Sequence, residues 1–339
     1  MIYKLKDTSK AEGLFSGFED SMIRTCMQGL LGGKIYVTDP EAPQSAMAFA
    51  AEFAFLAGEP DRELAAFKPA GLVGLVPADA RWEALITELW PDVEPWPRYA
   101  IKKDTVFDRQ KLEGFAAALP AGYELRRFND EIYDMCLQDD QFEDCVSHFE
   151  SKTQFFELGR GFAVLKDGAL VSAASSYSVY REGIEIEIDT VEEERRKGLA
   201  TAAAAALILS CLDDGLYPSW DAANTESVGL AEKLGYAFSH EYACYWLSGV
   251  FDRVIKNPDK SEWDSFCGKY QRLDDESRIY EIYKKNGDLF YHFVNPENKV
   301  FDLRMYPVGE RAFGINEDDF TMVFENDGMT LAGLPCKKL

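Results

Sequence analysis

The stretch "EIDTVEEERRKGLATAAAAALILSCL" at residues 187–212 constrains the fold more than any other part of the chain. An alternating, strand-like run ends in a crowd of charges, a single glycine follows, and an alanine-rich apolar segment begins. This pattern predicts a strand, a charged turn and a helix that is apolar nearly all round and therefore buried. The buried helix is thus predicted to begin at a glycine, directly after a run of positively charged residues.

The turn "RRKGLAT" at residues 195–201 has the features of a diphosphate site. A helix N-terminus presents N–H groups without intrahelical partners and carries roughly half a positive charge. Gly198 and Ala200 let the backbone come close to a phosphate. Positive charge is added by Arg195, Arg196 and Lys197. The alternative is a plain charged turn before a buried helix, which is a common arrangement.

The length of the chain allows several domains, and its charge is strongly negative. With 339 residues it is long enough for two or three domains, and its 47% hydrophobic and 28% charged residues are typical of globular proteins. Lys and Arg number 36 against 59 Asp and Glu, which gives a net charge of −23. Such a chain repels nucleic acid and anionic membranes and attracts cations. We expect neither nucleic acid nor membrane as a partner, and the charge serves either solubility or the capture of a cationic substrate.

The cysteine pattern indicates a reducing compartment. Seven cysteines are scattered without a CxxC pair, which favours reduced thiols over a disulfide framework. No signal-peptide core follows the first residues, and no charge-free apolar run reaches about 18 residues. His148, His240 and His292 are too far apart in sequence to form a metal-ligand pair. We predict a soluble cytoplasmic protein without a metal site, and the sequence leaves its oligomeric state open.

Three segments differ in their pattern of apolar, polar and turn-forming residues, and we predict three domains: residues 1–120, 121–250 and 251–339. The first mixes strands such as "GKIYVTD" and "AGLVGLVP" with a helix, "DARWEALITELW", that Asp79 caps. The last begins with a polar linker and continues as an antiparallel β module. Its turns are predicted at Asn286-Gly287 and Asp327-Gly328.

The middle segment predicts the element order β-α-α-β-β-β-α-β-α-β. After the strand "YELRRF" come a helix capped by Asn129 and a longer helix over "DQFEDCVSHFESKTQFFELG". Two strands then form a hairpin over Asp167-Gly168, and "GIEIEIDTV" alternates as a third strand. The alanine-rich helix is followed by the strand "YPSWDA", the helix "TESVGLAEKLG" and the strand "YAFSHEYACYWL".

A strand is followed by the pattern R-x-x-G-x-A and a helix, and then by a second strand and the pattern N-x-x-S-x-x-L-x-x-K-L-G-Y. This order of elements and motifs resembles the GNAT superfamily of N-acetyltransferases. The resemblance covers about residues 121–247 and looks closest to the branch typified by zwittermicin-resistance acetyltransferases. It implies an α+β fold, a GNAT-like mixed sheet flanked by helices. Residues 1–120 are compatible with a degenerate tandem copy of that fold, although they lack R-x-x-G-x-G. The small antiparallel β domain at the C-terminus falls outside the family.

The resemblance also implies roles for individual residues. In the family, the R-x-x-G-x-A turn grips the pyrophosphate of acetyl-CoA, the acyl donor. The backbone that would hold it here belongs to Arg196, Lys197, Gly198, Leu199, Ala200 and Thr201. The pantetheine arm would pair like an added strand with Ile188, Asp189 and Thr190, one of whose N–H groups would polarise the thioester carbonyl. Asn224 either bonds the pantetheine or only caps its helix.

One position departs from the family. A Tyr seven residues after the Asn usually protonates the leaving thiolate, and here that position is Ala231. Tyr236 occupies a site that normally packs in the core. The general acid is therefore unassigned, and water or another Tyr are the alternatives.

Carboxylates on the strand before the turn are candidates for the general base. Glu185, Glu187 and Asp189 alternate on one face, and crowded like charges would raise their pKa values toward neutrality. Alternatively this face meets solvent. We choose Glu187 as the base, with Glu185 or Asp221 as substitutes. The acidic run "DDQFEDCVSHFE" lies where the family builds acceptor-binding helices, or is a solvated face.

The sequence as a whole predicts an acetyl-CoA-dependent N-acetyltransferase. Its acceptor would be a primary amine of a small cationic molecule, acetylated directly in a ternary complex. Two alternatives stay open. The absence of the family's Tyr is compatible with a non-catalytic acyl-CoA-binding or sensing protein, and the β tail with a protein-interaction scaffold.

Overall fold

The computed structural model describes residues 1–295, 298–316, 320–325 and 328–339. Two compact units are present. The first comprises Met1–Phe67, Leu75–Leu85 and Trp96–Cys244, and the second Lys68–Gly74, Ile86–Pro95 and Tyr245–Leu339. Within the described ranges, no helix combines the length and apolarity needed to cross a membrane. The division into three domains at residues 120 and 250 stays a prediction.

The helices and strands are numbered in chain order. The helices are α1 (Met22–Gln28), α2 (Arg62–Ala65), α3 (Ala80–Leu89), α4 (Arg109–Ala117), α5 (Asp130–Leu137), α6 (Lys152–Leu158), α7 (Leu199–Asp213), α8 (Thr225–Leu234) and α9 (Trp263–Phe266). Strands β1 to β13 are Tyr3–Lys4, Lys34–Val37, Ser45–Ala50, Phe53–Gly58, Val73–Pro77, Trp96–Ile101, Tyr123–Arg127, Gly161–Lys166, Ala169–Tyr180, Gly183–Thr190, Tyr217–Ser219, Asp221–Ala222 and Phe238–Leu247. Strands β14 to β22 are Gly268–Arg272, Ile279–Lys285, Asp288–Val294, Val300–Arg304, Tyr306–Pro307, Ala312–Gly314, Thr321–Phe324, Gly328–Leu331 and Leu334–Lys338.

A sheet of five strands carries the predicted strand–turn–helix stretch, with the order β11-β10-β9-β8-β7. Strands β9 and β10 are antiparallel, whereas β10 and β11 are parallel, so the sheet is mixed. Helix α7 is buried along most of its length, as its apolar composition predicts. Asp167 and Gly168 turn the β8–β9 hairpin with φ values of 50° and 84°, which confirms that turn. The predicted mixed sheet flanked by helices is confirmed.

A second sheet in the chain combines early and late strands, in the order β1-β2-β3-β4-β5-β13-β6-β12. The β3–β4 hairpin is rich in small and aromatic residues and is almost wholly buried. Its turn is formed by Ala51 and Glu52, and Ala51 has a φ of 50°. The predicted single strand "YPSWDA" is divided between two sheets, because β11 pairs with β10 while β12 pairs with β6.

The predicted long helix over "DQFEDCVSHFESKTQFFELG" is wrong. The structure has a 3₁₀ turn at Glu143–Cys145 and the separate helix α6, whose cap Ser151 accepts from the Gln154 N–H at 3.2 Å. The carbonyl of Cys145 accepts from the Ser175 hydroxyl at 2.7 Å, a bond that ties the segment to β9. That carbonyl is the one a continuous helix would offer to the N–H four residues later.

The second unit contains an antiparallel sheet with the order β17-β16-β15-β14-β22-β21-β20-β19-β18, which confirms the predicted C-terminal β domain. Asn286 and Gly287 form its predicted hairpin turn with φ values of 53° and 85°. The turn predicted at Asp327-Gly328 involves Asp327, which lies outside the described residues. The core is rich in aromatic side chains: Trp263, Phe266, Tyr270, Tyr291, Phe313 and Phe324.

Candidate active site

Strands β10 and β11 pair briefly and then separate. Their last pair is Glu185 with Ser219, after which the chain leaves for β12 in the other sheet. Strand β10 continues to Thr190 against β9, with a bulge between Glu185 and Ile186. Among the described residues, no strand pairs with the other side of Ile186–Thr190. We call this segment the split edge.

The split edge presents backbone N–H groups. The Val191 N–H donates to the Val171 carbonyl of β9 at 3.0 Å. Because N–H directions alternate along a strand, those of Ile188 and Thr190 point away from β9, whereas that of Asp189 points toward it. The Thr190 N–H donates to Asp189 Oδ1 at 2.6 Å, and the Ile188 N–H bonds the Glu187 carboxylate. Two of the three predicted pantetheine-binding residues, Ile188 and Thr190, therefore direct their N–H groups toward the side of β10 that faces away from β9.

The turn after β10 exposes the N-terminus of α7. Gly198 is the N-cap with a φ of 85°, and no side chain caps the helix. The intrahelical bonds begin with the Ala202 N–H, which donates to the Gly198 carbonyl at 3.1 Å, so the N–H groups of residues 199–201 are free of intrahelical bonds. Arg196 also has a left-handed backbone, with a φ of 65°. This arrangement of backbone donors fits an anion such as a diphosphate.

The basic side chains of the turn play different parts. Arg195 Nε donates to the Thr190 carbonyl at 3.1 Å and ties the turn to the end of β10. Lys197 Nζ lies 2.6 Å from Glu194 Oε2, so its charge is already paired. Arg196 is exposed and contributes positive charge at the surface of the turn. The backbone, more than the side chains, defines this site.

Glu187 is the carboxylate with the properties of a general base. It is half-buried on β10 within the split edge. Burial, then the negative charge of Asp144, raises the pKa of Glu187 to about 8, against lowering by the Ile188 N–H and Arg98. The raised pKa agrees with the sequence analysis, but its largest cause is burial rather than crowding along the strand. A base is most effective when its pKa lies near the working pH.

The two substitute candidates are held by partners. One oxygen of Glu185 accepts from the Ser21 hydroxyl and lies 3.8 Å from Lys103 Nζ. Asp221 Oδ1 accepts from both Nε and Nη2 of Arg98, at 2.9 and 2.6 Å. Both carboxylates therefore already have cationic partners within the protein.

Residues far away in sequence complete the site, and the sequence analysis missed them. Ser21, Arg98 and Lys103 reach the strand carboxylates from elements that precede the resemblance. Asp20 lies beside them, and burial followed by the charges of Glu185 and Asp221 raises its pKa to about 7. Ser21 and Glu185 are 164 residues apart, so no local pattern could have paired them.

The acidic run lies near the base. Its carboxylates Asp139, Asp140, Glu143 and Asp144 are all exposed. Asp144 raises the pKa of Glu187, and after burial it also raises that of Glu52 on the β3–β4 turn. Tyr177 has a pKa raised by burial and then by Glu52, Glu187 and Asp144. Three chain segments therefore bring negative charge to the same region.

The remaining predicted residues have structural partners. Asn224 caps α8, since its Oδ1 accepts from the Ser227 N–H at 2.9 Å, and a role toward pantetheine stays a prediction. Ala231 is fully buried, and Tyr236 donates its hydroxyl to the Pro218 carbonyl at 2.6 Å. In the described parts of the chain, no group of three or more His, Cys, Asp or Glu side chains is placed to hold a metal ion.

The raised pKa of Glu187 predicts an effect on stability. Its folded pKa of about 8 lies above the ordinary value of 4.5, so the parent loses stability as the pH rises from 4.5 through 8. Glutamine resembles the protonated carboxyl and does not ionise. We expect Glu187→Gln to exceed the parent in free energy of unfolding by on the order of 1–3 kcal/mol above pH 8. Urea denaturation at pH 5 and pH 9 tests this, and an equal difference at both pH values would contradict it.

Comparison with known proteins places the chain in a family. The profile of the family described as GNAT acetyltransferase matches residues 12–245. An uncharacterized N-acetyltransferase, YdfB of Bacillus subtilis (strain 168), is 35% identical over 132 residues, which are 38% of this chain and 49% of the relative. The chain thus spans about half the length of that curated relative.

A solved structure extends the similarity over more of the chain. The GCN5-related N-acetyltransferase-like protein of Streptococcus suis 89/1591 is 42% identical, with a TM-score of 0.67 over 71% of this chain and 98% of that one. The narrower resemblance to the zwittermicin-resistance branch stays a prediction. The family match begins at residue 12, well before the motifs on which the sequence resemblance rests. The chain belongs to the GNAT acetyltransferase family.

Proposed function

We propose that this protein transfers the acetyl group of acetyl-CoA to a primary amine of a small cationic molecule, directly within a ternary complex. The observation that carries the proposal is Glu187, a half-buried carboxyl with a pKa of about 8 on a strand edge that no strand of the described residues covers. Membership of the family supports acetyl-CoA as the donor.

The turn and the split edge have the chemistry that acetyl-CoA requires. The uncapped N-terminus of α7 would hold the diphosphate, with Gly198 allowing close approach. The N–H groups of Ile188 and Thr190 would pair with the amide-containing arm like an added strand, exchanging their bonds to the Asp189 and Glu187 carboxylates for bonds to the arm. Acetyl-CoA supplies the acetyl group as a thioester. One of these N–H groups would stabilise negative charge on the carbonyl oxygen.

Glu187 would prepare the amine for attack. An ammonium ion has no lone pair, so the acceptor must lose a proton before its nitrogen can form a bond to carbon. Glu187 takes that proton, the N–C bond forms, and the C–S bond breaks with its electron pair on sulfur. The nitrogen then loses a second proton to become the amide nitrogen, and the thiolate gains one. The raised pKa suits the first proton transfer, because a carboxylate with an ordinary pKa of 4.5 would be a much weaker base.

The charges around Glu187 indicate a cationic acceptor. Asp144 raises the pKa of both Glu187 and Glu52, and Glu52 raises that of Tyr177. The exposed run that contains Asp144 extends this negative field to the surface. A positively charged amine is attracted by such a field, and a neutral or anionic acceptor is not.

A panel of amines tests the proposal. The purified protein is incubated with acetyl-CoA and matched monoamines, diamines and amines that also carry a carboxylate, and thiol release is measured together with the product mass. We expect acetylation of amines with a net positive charge and little of those with a carboxylate. Absence of acetylated product from every amine would refute the proposed function.

We expect the apparent affinity for the amine to depend on salt. Attraction between exposed charges is screened beyond a Debye length of about 8 Å at physiological ionic strength. KM for the amine should therefore rise steeply from low to high salt. The value of kcat should change little, because long-range charge acts on encounter more than on chemistry. Steady-state kinetics over a salt series provides the measurement.

A matched pair of variants identifies which charges are responsible. The first variant neutralises the acids of the run, Asp139, Asp140, Glu143 and Asp144. The control neutralises as many exposed acids outside it, Glu12, Glu94, Glu113 and Glu276. Only the first should flatten the salt dependence of KM. If both variants behave alike, net charge rather than the acidic run attracts the amine.

A further inference from the structure

Three buried polar side chains lie in one row across the sheet. Ser178 of β9, Glu185 of β10 and Ser219 of β11 are direct cross-strand neighbours. They are 2%, 3% and 0% exposed. Within the part of the chain that the structure describes, Ser178 Oγ, Glu185 Oε1 and Ser219 Oγ have no hydrogen-bond partner. We call these three residues the polar row.

Such a row needs partners. A buried polar group without a hydrogen bond costs about 1–3 kcal/mol, and here three of them lie side by side. Directly opposite residues on neighbouring strands point to the same face of a sheet, and the strands are about 4.8 Å apart. Water can bridge polar atoms at this spacing, and buried water in proteins typically bonds polar groups that would otherwise be unsatisfied.

The other oxygen of Glu185 connects the row to the N-terminal part of the chain. Glu185 Oε2 accepts from the Ser21 hydroxyl and lies near Lys103 Nζ, which also donates to the Trp220 carbonyl at 2.7 Å. Asp20 precedes Ser21 and is only half-buried. The polar row is therefore next to a carboxyl group that can exchange protons with solvent.

The position of the row relates it to the reaction. The pair Glu185–Ser219 closes the split edge at one end, and the diphosphate turn follows its other end. An arm that starts at the turn and follows the edge brings its thioester toward the row. At Ala231, where the family places its acid, the side chain is a fully buried methyl group.

We propose that the polar row holds ordered water, and that the water bonded to Ser219 and Glu185 protonates the thiolate that leaves acetyl-CoA. This rests on the proposed function. When the C–S bond breaks, its electron pair stays on sulfur and takes a proton from this water. The water takes a replacement proton from the Asp20 carboxyl, which lies close enough to Glu185 to feel its charge, and Asp20 recovers its own from solvent. The acceptor nitrogen loses two protons, one to Glu187 before attack and one to solvent after the N–C bond forms. Sulfur gains one, so acetylation of an ammonium releases one proton overall.

The protonation of Asp20 agrees with its role as the source of the replacement proton. The pKa of Asp20, about 7, keeps part of the population protonated at neutral pH. Ser178 and Glu185 act as positioning residues, because they hold the water and do not contact the sulfur, whereas Asp20 resupplies the proton.

Two variants of equal size test the role of the Ser219 hydroxyl. Ser219→Thr keeps the hydroxyl and adds a methyl group, whereas Ser219→Val adds the same bulk without it. We expect Thr to retain kcat close to the parent and Val to lower it by about tenfold or more, with KM for acetyl-CoA unchanged in both. As a further control, Ser176→Ala on β9 removes a buried hydroxyl that is already hydrogen-bonded to the backbone N–H and carbonyl of Arg160. This variant should leave kcat near the parent value. Equal losses for Thr and Val would overturn the proposal.

A crystal structure of the parent at high resolution tests the water independently of activity. We expect ordered water within hydrogen-bond distance of Ser219 Oγ and Glu185 Oε1. Side chains that instead bond directly to protein atoms, without water, would overturn the proposal even if the enzyme is active. If no amine is acetylated, the proposed function fails, and the crystal structure still decides whether the polar row holds water.

Discussion

Replacing Glu187 by glutamine is expected to lower turnover by roughly a hundredfold or more. The amide has the size of the carboxyl but cannot take a proton from the amine. In the parent, kcat/KM should rise with pH through about 8 as Glu187 loses its proton, and the variant should lack this rise. Affinity for acetyl-CoA, measured by thermal shift or calorimetry, should stay near that of the parent.

Asp221→Asn is the variant to compare with Glu187→Gln, because Asp221 is the other candidate base near Arg98. We expect it to affect stability through loss of the ion pair and to retain the pH dependence of the parent. If Glu187→Gln keeps full turnover while Asp221→Asn loses it together with the pH dependence, the role of base moves to Asp221.

Gly198→Glu is expected to abolish the stabilisation that acetyl-CoA confers. Ligand at a hundredfold excess over its dissociation constant stabilises the parent by about 2.7 kcal/mol, seen as a rise in Tm. A Cβ at Gly198 meets no atom within 4 Å, so the side chain itself has room. The carboxylate would repel the diphosphate at the N-terminus of α7.

The backbone of Gly198 requires a matched control. Its φ of 85° is unfavourable for any residue with a Cβ, so part of the effect comes from strain. Gly198→Gln carries the same strain and bulk without the charge, and should retain a measurable rise in Tm with acetyl-CoA. A glutamate variant that binds as well as the parent would place the diphosphate elsewhere.

Features fixed by a few neighbouring residues could be predicted from the sequence. Asn286-Gly287 turned as expected because both positions adopt positive φ at low cost. Asn129 capped its helix by accepting from the Ile132 N–H at 2.9 Å, and the apolar run of α7 was buried. In each case the conformation is favoured by interactions between residues close in sequence, so the pattern of residue types is sufficient to predict it.

The failures had long-range causes. The segment predicted as one long helix has apolar spacing that fits a helix, but bonding of the Cys145 carbonyl to Ser175 ties it to β9 instead. The partners of the strand carboxylates, Arg98 and Ser21, come from elements distant in sequence. Their pairing depends on how two sheets lie in one unit, which no local pattern records.

The peptide from Tyr217 to Ala222 has a consequence for ligand binding. Its first residues are hydrogen-bonded into one sheet and its last two into another, so both ends are anchored within six residues. The opening beside β10 is therefore set by covalent geometry and by backbone hydrogen bonds to two sheets. Its backbone has little conformational entropy to lose when a ligand binds. A ligand that enters meets an edge already shaped for it, and more of its contact energy is available as affinity.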